Sequence, residues 1–281
     1  MTTYLVATDL SSRAEQALRM AVLLARRSDA ALKLVYAIDA DQPAALLAAQ
    51  RESADSMVQR LARTIEQSDG IPCQAEIAIA AGIDDAVLTA AERDTALIIL
   101  GRHRTRPLRD LFLSSTSERI IAHARCPVLV TQTPPLEPHR KLLIATDLSD
   151  EALAAAATLT RHPVTAGLPT TLLHVVGALE DQSAAANRTS TDARDLLVAQ
   201  AQATAQQRLD RFVDRVGLEP VKTRVECDGR PTATTILDIA GREGVDLIAV
   251  HRRPASTVER AFGPSTITRL LNSAPVDLLI V

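Results

Sequence analysis

The chain of 281 residues has length for two domains of ordinary size, and its 47% hydrophobic content comes with two Tyr, three Phe and no Trp. Aliphatic side chains suffice for packed cores, but the aromatic platforms on which single-stranded nucleic acids stack are missing. The net charge is −3 and evenly spread: residues 1–138 carry 15 Lys and Arg against 17 Asp and Glu, leaving 16 and 17 of the totals 31 and 34. That balance argues against nucleic acid and membrane surfaces as partners.

In chain order, "MTTYLVATDL" has neither a basic start nor a long apolar run, so no signal peptide is expected. Thr3–Thr8 reads as a first strand that stops on Asp9. Ser12 and Glu15 then have capping-box spacing, and Ala14, Ala17, Leu18, Ala21, Leu24 and Ala25 follow at helical intervals. Leu32–Ile38 reads as a second strand. Met57, Val58, Leu61, Ala62 and Ile65 mark the inner face of a second helix. Gln74–Ala80 gives a third strand, and Ile83, Ala86, Val87 and Ala90 a third helix. Leu97–Leu100 and Val128–Thr131 complete five strands, several apolar throughout, as strands buried on both faces are. Alternation of strand and helix predicts a parallel sheet with helices on both faces.

The same order is then written again. "YLVATDLS" returns as "LLIATDLS" 138 residues on, Gly82 corresponds to Gly229, and Leu97–Leu100 to Leu247–Val250 at an offset of 150. Ser115 and Ser265, Arg119 and Arg269, and Val128–Val130 and Leu278–Ile280 keep that offset. An offset growing with order preserved is the mark of duplication followed by loop insertion, here around "EDQSAAANRTSTD". Pro134, Pro135 and Pro138 place the boundary between domains at 1–133 and 139–281. No apolar run reaches the ~18 residues of a membrane span. The cysteines Cys73, Cys126 and Cys227 form no CxxC pair, which fits a reducing compartment and a cytoplasmic protein.

In parallel sheets ligands bind beyond the carboxyl ends of the strands. Asp9 and Asp147 stand there, and each could take a ligand's amine or hydroxyl or hold the turn into the next helix. "GRHRTRPLRDLFLSSTSERI" leaves a strand at Gly101, carries Arg102 and Arg104, and enters a helix through Ser114, Ser115 and Thr116. It reads either as an anion site at a helix N-terminus or as a solvated loop and an ordinary cap. The weaker set in the second half is Asp147, Arg252, Ser265 and Thr266. Six scattered histidines lack metal-site spacing, so no metal is expected. His174, within "TTLLHVVG", reads as a hydrogen-bonded strand residue.

The ATDLS starts, the Gly82 and Gly229 turns, the basic loop and "SSTSERIIAHARCPVLV" together resemble the universal stress proteins, in tandem, over essentially the whole chain. The resemblance implies two flavodoxin-like (Rossmann-like) α/β domains, each with a five-stranded parallel sheet, paired through their last strands as an internal pseudo-dimer. A homodimer of such chains is a further possibility. It also implies a non-enzymatic role in stress response. Nucleotide-binding members carry G-x-x-G after the fourth strand and later G-[ST], which lets the backbone approach ribose and phosphates. Here Arg104 and Ser114 replace the later glycines of the first repeat, and His251, Pro254 and Pro264 all three of the second. The expectation is therefore no cofactor, with ATP or AMP as an alternative at the first repeat only, for a sensor or weak ATPase.

Overall fold

The computed structural model describes residues 2–91, 94–102, 115–176, 191–217, 221–252 and 265–281. The chain divides into two compact units, Met1–Pro138 with Leu271–Ile280, and His139–Leu270 with Val281.

The first unit runs β1 (Thr3–Thr8), α1 (Ser12–Ser28), β2 (Ala31–Asp39), α2 (Ala44–Asp69), β3 (Cys73–Ala80), α3 (Ile83–Ala90), β4 (Thr95–Gly101), α4 (Thr116–His123) and β5 (Val128–Thr131). Its strands are ordered β3-β2-β1-β4-β5 and pair in parallel. Tyr4, Leu5 and Val6 of β1 and Leu97, Ile98 and Ile99 of β4 are fully buried, because helices cover both sides of the sheet. The expected inner face of α1 is buried as predicted, whereas Met57 of α2 is half exposed and Ala54, Val58, Ala62 and Ile65 line the core there. Asp84 at the start of α3 receives two bonds from Arg119 of α4, at 2.8 and 2.9 Å. Those bonds hold the Asp84 carboxyl below its ordinary range.

The second unit contributes β6 (Leu142–Thr146), α5 (Asp150–Arg161), β7 (Thr170–Val175), α6 (Thr191–Val216), β8 (Val221–Glu226), α7 (Thr232–Glu243) and β9 (Leu247–Val250). The order β9-β6-β7-β8 repeats the first sheet, again in parallel. Leu209 and Phe212 anchor α6. Gly82 and Gly229, matched in sequence, play different parts. Gly82 is an extended N-cap, while Gly229 has φ +69° in a left-handed turn that a side chain would strain.

The last helix, α8 (Thr266–Ser273), leads to β10 (Asp277–Ile280), which closes the edge of the first unit. There β10 runs antiparallel to β5, with Leu278, Leu279 and Ile280 opposite Val130, Leu129 and Val128. All six are buried, and the two fifth strands thus pair within one chain. Asp277, 2% exposed, accepts the Gln132 N–H at 2.7 Å, and the Gln132 amide donates to Leu271 O at 3.3 Å.

Replacing Asp277 by Ala strands a buried N–H. We expect denaturant unfolding to show a loss of about 1–3 kcal/mol. Arg19→Ala, which breaks a solvent-exposed pair with Glu15, should cost less than about 1 kcal/mol.

Candidate functional site

Each repeat brings its first strand and its fourth side by side in parallel, with the strand order reversing between them, and the cleft lies at their carboxyl ends. The way out of the first strand is the same in both. Thr8 Oγ1 accepts the Leu10 N–H and Asp9 Oδ1 the Ser11 N–H, both at 3.0 Å. Thr146 and Asp147 do the same for Leu148 and Ser149, again at 3.0 Å. The leucine between them is left-handed, φ +58° at Leu10 and +63° at Leu148. That conformation costs a side-chain-bearing residue roughly 1–2 kcal/mol, which the two flanking bonds offset. The serine then caps the helix, Ser11 Oγ accepting from Ala14 and Ser149 Oγ from Ala152. The capping box expected from Ser12 and Glu15 does not form: Ser11, in extended backbone, is the cap, and Glu15 pairs with Arg19 instead.

In the first repeat Asp9 is exposed and forms no hydrogen bond to Gly101, Arg102, Ser115 or Thr116. Gly101 ends β4 against the first turn of α1, and a Cβ there would lie 2.7 Å from Arg13 O. Glycine is required by that close approach, independently of any ligand. Arg102 follows it on the surface. Arg104 and Ser114 lie outside the described residues. Ser115 caps α4 in a complete capping box: its Oγ accepts Glu118 N–H at 3.2 Å, and Glu118 Oε2 accepts Ser115 N–H at 2.8 Å. Thr116 opens the helix behind it. The Glu118 carboxylate thus already satisfies an amide that an incoming anion would use. Ser-x-x-Glu is legible in "SSTSERI" as a cap signature.

The second repeat differs at both ends of the cleft. Ser265 Oγ accepts Thr268 N–H at 3.1 Å, and no acidic residue stands in the first turn of α8. Thr266 opens that helix, and Arg252 is held through its backbone N–H to Val281 O at 2.7 Å. Asp147, unlike Asp9, meets a residue from the fourth strand's end: His251 Nε2 stands 3.3 Å from Asp147 Oδ2. Asp147 Oδ1 also accepts the Ser149 hydroxyl at 2.6 Å. On the neighbouring strand, His174 Nδ1 donates to Thr146 O at 2.9 Å, as expected of a strand histidine. Burial chiefly pushes the His174 ring below its ordinary titration range, opposed by the bond to Thr146. The His251–Asp147 contact had no local motif to announce it, only the histidine at a glycine position of the repeat. Among the described residues no three His, Cys, Asp or Glu gather to hold a metal ion, and no helix is long and apolar enough to cross a membrane.

The model of the universal stress protein family matches residues 1–132 and again 138–281. The chain belongs to the universal stress protein family. Solved structures share its fold. A universal stress protein from Archaeoglobus fulgidus DSM 4304 aligns at 17% identity over 99% of this chain and 95% of its own, with a TM-score of 0.72. A putative universal stress protein from Pseudomonas aeruginosa UCBPP-PA14, also 17% identical, covers 100% and 93% with a TM-score of 0.63. No curated protein matches the chain. The tandem, flavodoxin-like α/β organisation implied by the resemblance is therefore established.

Two outcomes follow from the clefts. Gly101→Ala should destabilise the first repeat by about 1–3 kcal/mol, read by denaturant unfolding, because backbone and not a flexible side chain must yield. His174 has its folded-state pKa depressed from 6.5, so the unfolded chain binds the proton more readily. Its contribution is complete above pH about 6.5 and declines as pH falls below it. His174→Gln should flatten the stability profile over that range, measured by thermal melts across pH.

Proposed function

We propose that the protein is a non-enzymatic, cytoplasmic stress-response protein with two domains, 1–133 and 139–281, whose nucleotide motifs are degenerate in both repeats. The observation that carries this reading is the Ser115–Glu118 capping box. A phosphate approaching α4 would meet a carboxylate already bound to the Ser115 amide, so charge and occupancy both oppose it. In the second repeat Asp147 is engaged by Ser149 and His251, and two of the glycine positions are prolines. Asp9, Gly101, Arg102, Arg104, Ser114, Ser115 and Thr116 remain the residues we assign to any ligand of the first cleft. Asp147, Arg252, Ser265 and Thr266 are the weaker set in the second. The pairing of β5 with β10 supports an internal pseudo-dimer, and a homodimer of whole chains is compatible with it.

The exposed Asp9 and the glycine kept at position 101 favour one second reading, an adenine-nucleotide sensor or weak ATPase working from the first repeat alone. Titration calorimetry with ATP and AMP at millimolar concentration separates the two. We expect no saturable heat, and no ATP or AMP in mass spectra of the denatured, purified protein. Saturable binding that Asp9→Asn abolishes would overturn the first reading and establish the second.

A further inference from the structure

The two repeats share one turn after the first strand, yet their aspartates meet different surroundings. Asp9 lies exposed, and Gly101 at the end of the adjoining fourth strand has no room for a Cβ. Asp147 is flanked by a full imidazole at the matching position, 150 residues after Gly101. The His251 side chain is 11% exposed against 34% for Asp147, so the ring is packed inward and the carboxylate forms the outer member of the pair. Nε2 itself is buried and has no aligned hydrogen-bond partner, although Asp147 Oδ2 is 3.3 Å away. A buried ring nitrogen without a hydrogen bond is costly, and the Asp147 carboxylate is the acidic group that stands within reach of it. Ser149 meanwhile holds the other carboxylate oxygen through both N–H and hydroxyl, which fixes Asp147 facing the ring.

We propose that His251 is an internal occupant of the second cleft: its imidazole sits at Asp147 as a ligand would, and closes that cleft to molecules from outside. The repeats are then unequal by construction, and residue 101 or 251 decides which cleft can admit a planar nitrogen ring. This goes beyond the nucleotide reading and does not depend on it, because the probe is free imidazole.

The experiment is a cavity rescue in the full chain. His251→Ala should lower the melting temperature by about 2–4 °C, the scale of one lost favourable contact in a domain of this size. Millimolar imidazole should raise it again in a saturable manner. The unsubstituted protein, and the double variant His251→Ala with Asp147→Asn, should show no such rise. A rise of equal size in all three, or none in His251→Ala, overturns the proposal. Should His251→Ala fail to fold, the contact is read in the full-length protein by the nitrogen resonance of the His251 ring. Asp147→Asn is expected to move it and Asp9→Asn to leave it in place, and an unmoved resonance in Asp147→Asn overturns the proposal equally.

Discussion

The geometry of each cleft depends on a left-handed leucine. Leu10 and Leu148 turn the chain sharply out of the central strand, and neither could do so cheaply alone. A threonine hydroxyl and an aspartate carboxylate each hold the amide two residues ahead, so the turn is fixed by two bonds made within four residues. The serine that follows becomes the helix cap, which sets the start and the direction of α1 and α5. In the first repeat this aim brings the carbonyl of Arg13 onto Gly101, and the need for glycine at the end of β4 follows. The aspartate is thus first a structural residue. Whatever its second oxygen does is left over from that task.

The divergence of the repeats can be traced to what each does with the leftover oxygen and the helix N-terminus opposite. The first repeat keeps the aspartate open and places Glu118 in the first turn of α4. The second removes the acid from the first turn of α8 and sets His251 against Asp147. Each cleft therefore has one of its two polar ends satisfied from within the chain, but not the same end. A phosphate is opposed by charge in the first, and a ring is preceded by another ring in the second.

Much of the fold was legible because it rests on patterns with few solutions. Apolar runs without alternation predicted strands buried on both faces, and Thr3–Thr8 and Val128–Thr131 have those limits. The helical spacing of Ala14 to Ala25 marked the buried face of α1. Where two readings shared a motif, sequence could not choose. Ser11 and Ser12 are both competent caps, and only the backbone conformation selects Ser11. Met57 fits the helical stripe but stands half exposed, since the face that meets the sheet runs through Ala54, Val58, Ala62 and Ile65 and Met57 falls to its side. The Ser115–Glu118 box was present in the letters, whereas the His251–Asp147 contact joins residues about a hundred positions apart. Nothing short of the β6–β9 pairing reveals it.

The pairing of β5 with β10 draws on none of the polar side chains by which the two clefts differ. The bond between β5 and β10 is made by main-chain groups and by aliphatic side chains of interchangeable shape: Val128, Leu129 and Val130 against Ile280, Leu279 and Leu278. On its other side β5 lies in register with the carboxyl half of β4, Ile98–Gly101 beside Val128–Thr131, again through main-chain bonds. One polar contact is added where symmetry is already broken, Asp277 holding Gln132 where the first repeat has Pro127 at the position matching Asp277. A proline offers no carboxylate and no N–H, so the first repeat cannot supply the same contact. None of residues 101, 251, 118 and 268 takes part in the β5–β10 ladder, so a substitution at any of them is judged by its own local contacts. The duplicated chain can then hold two clefts of different chemistry on one repeated turn.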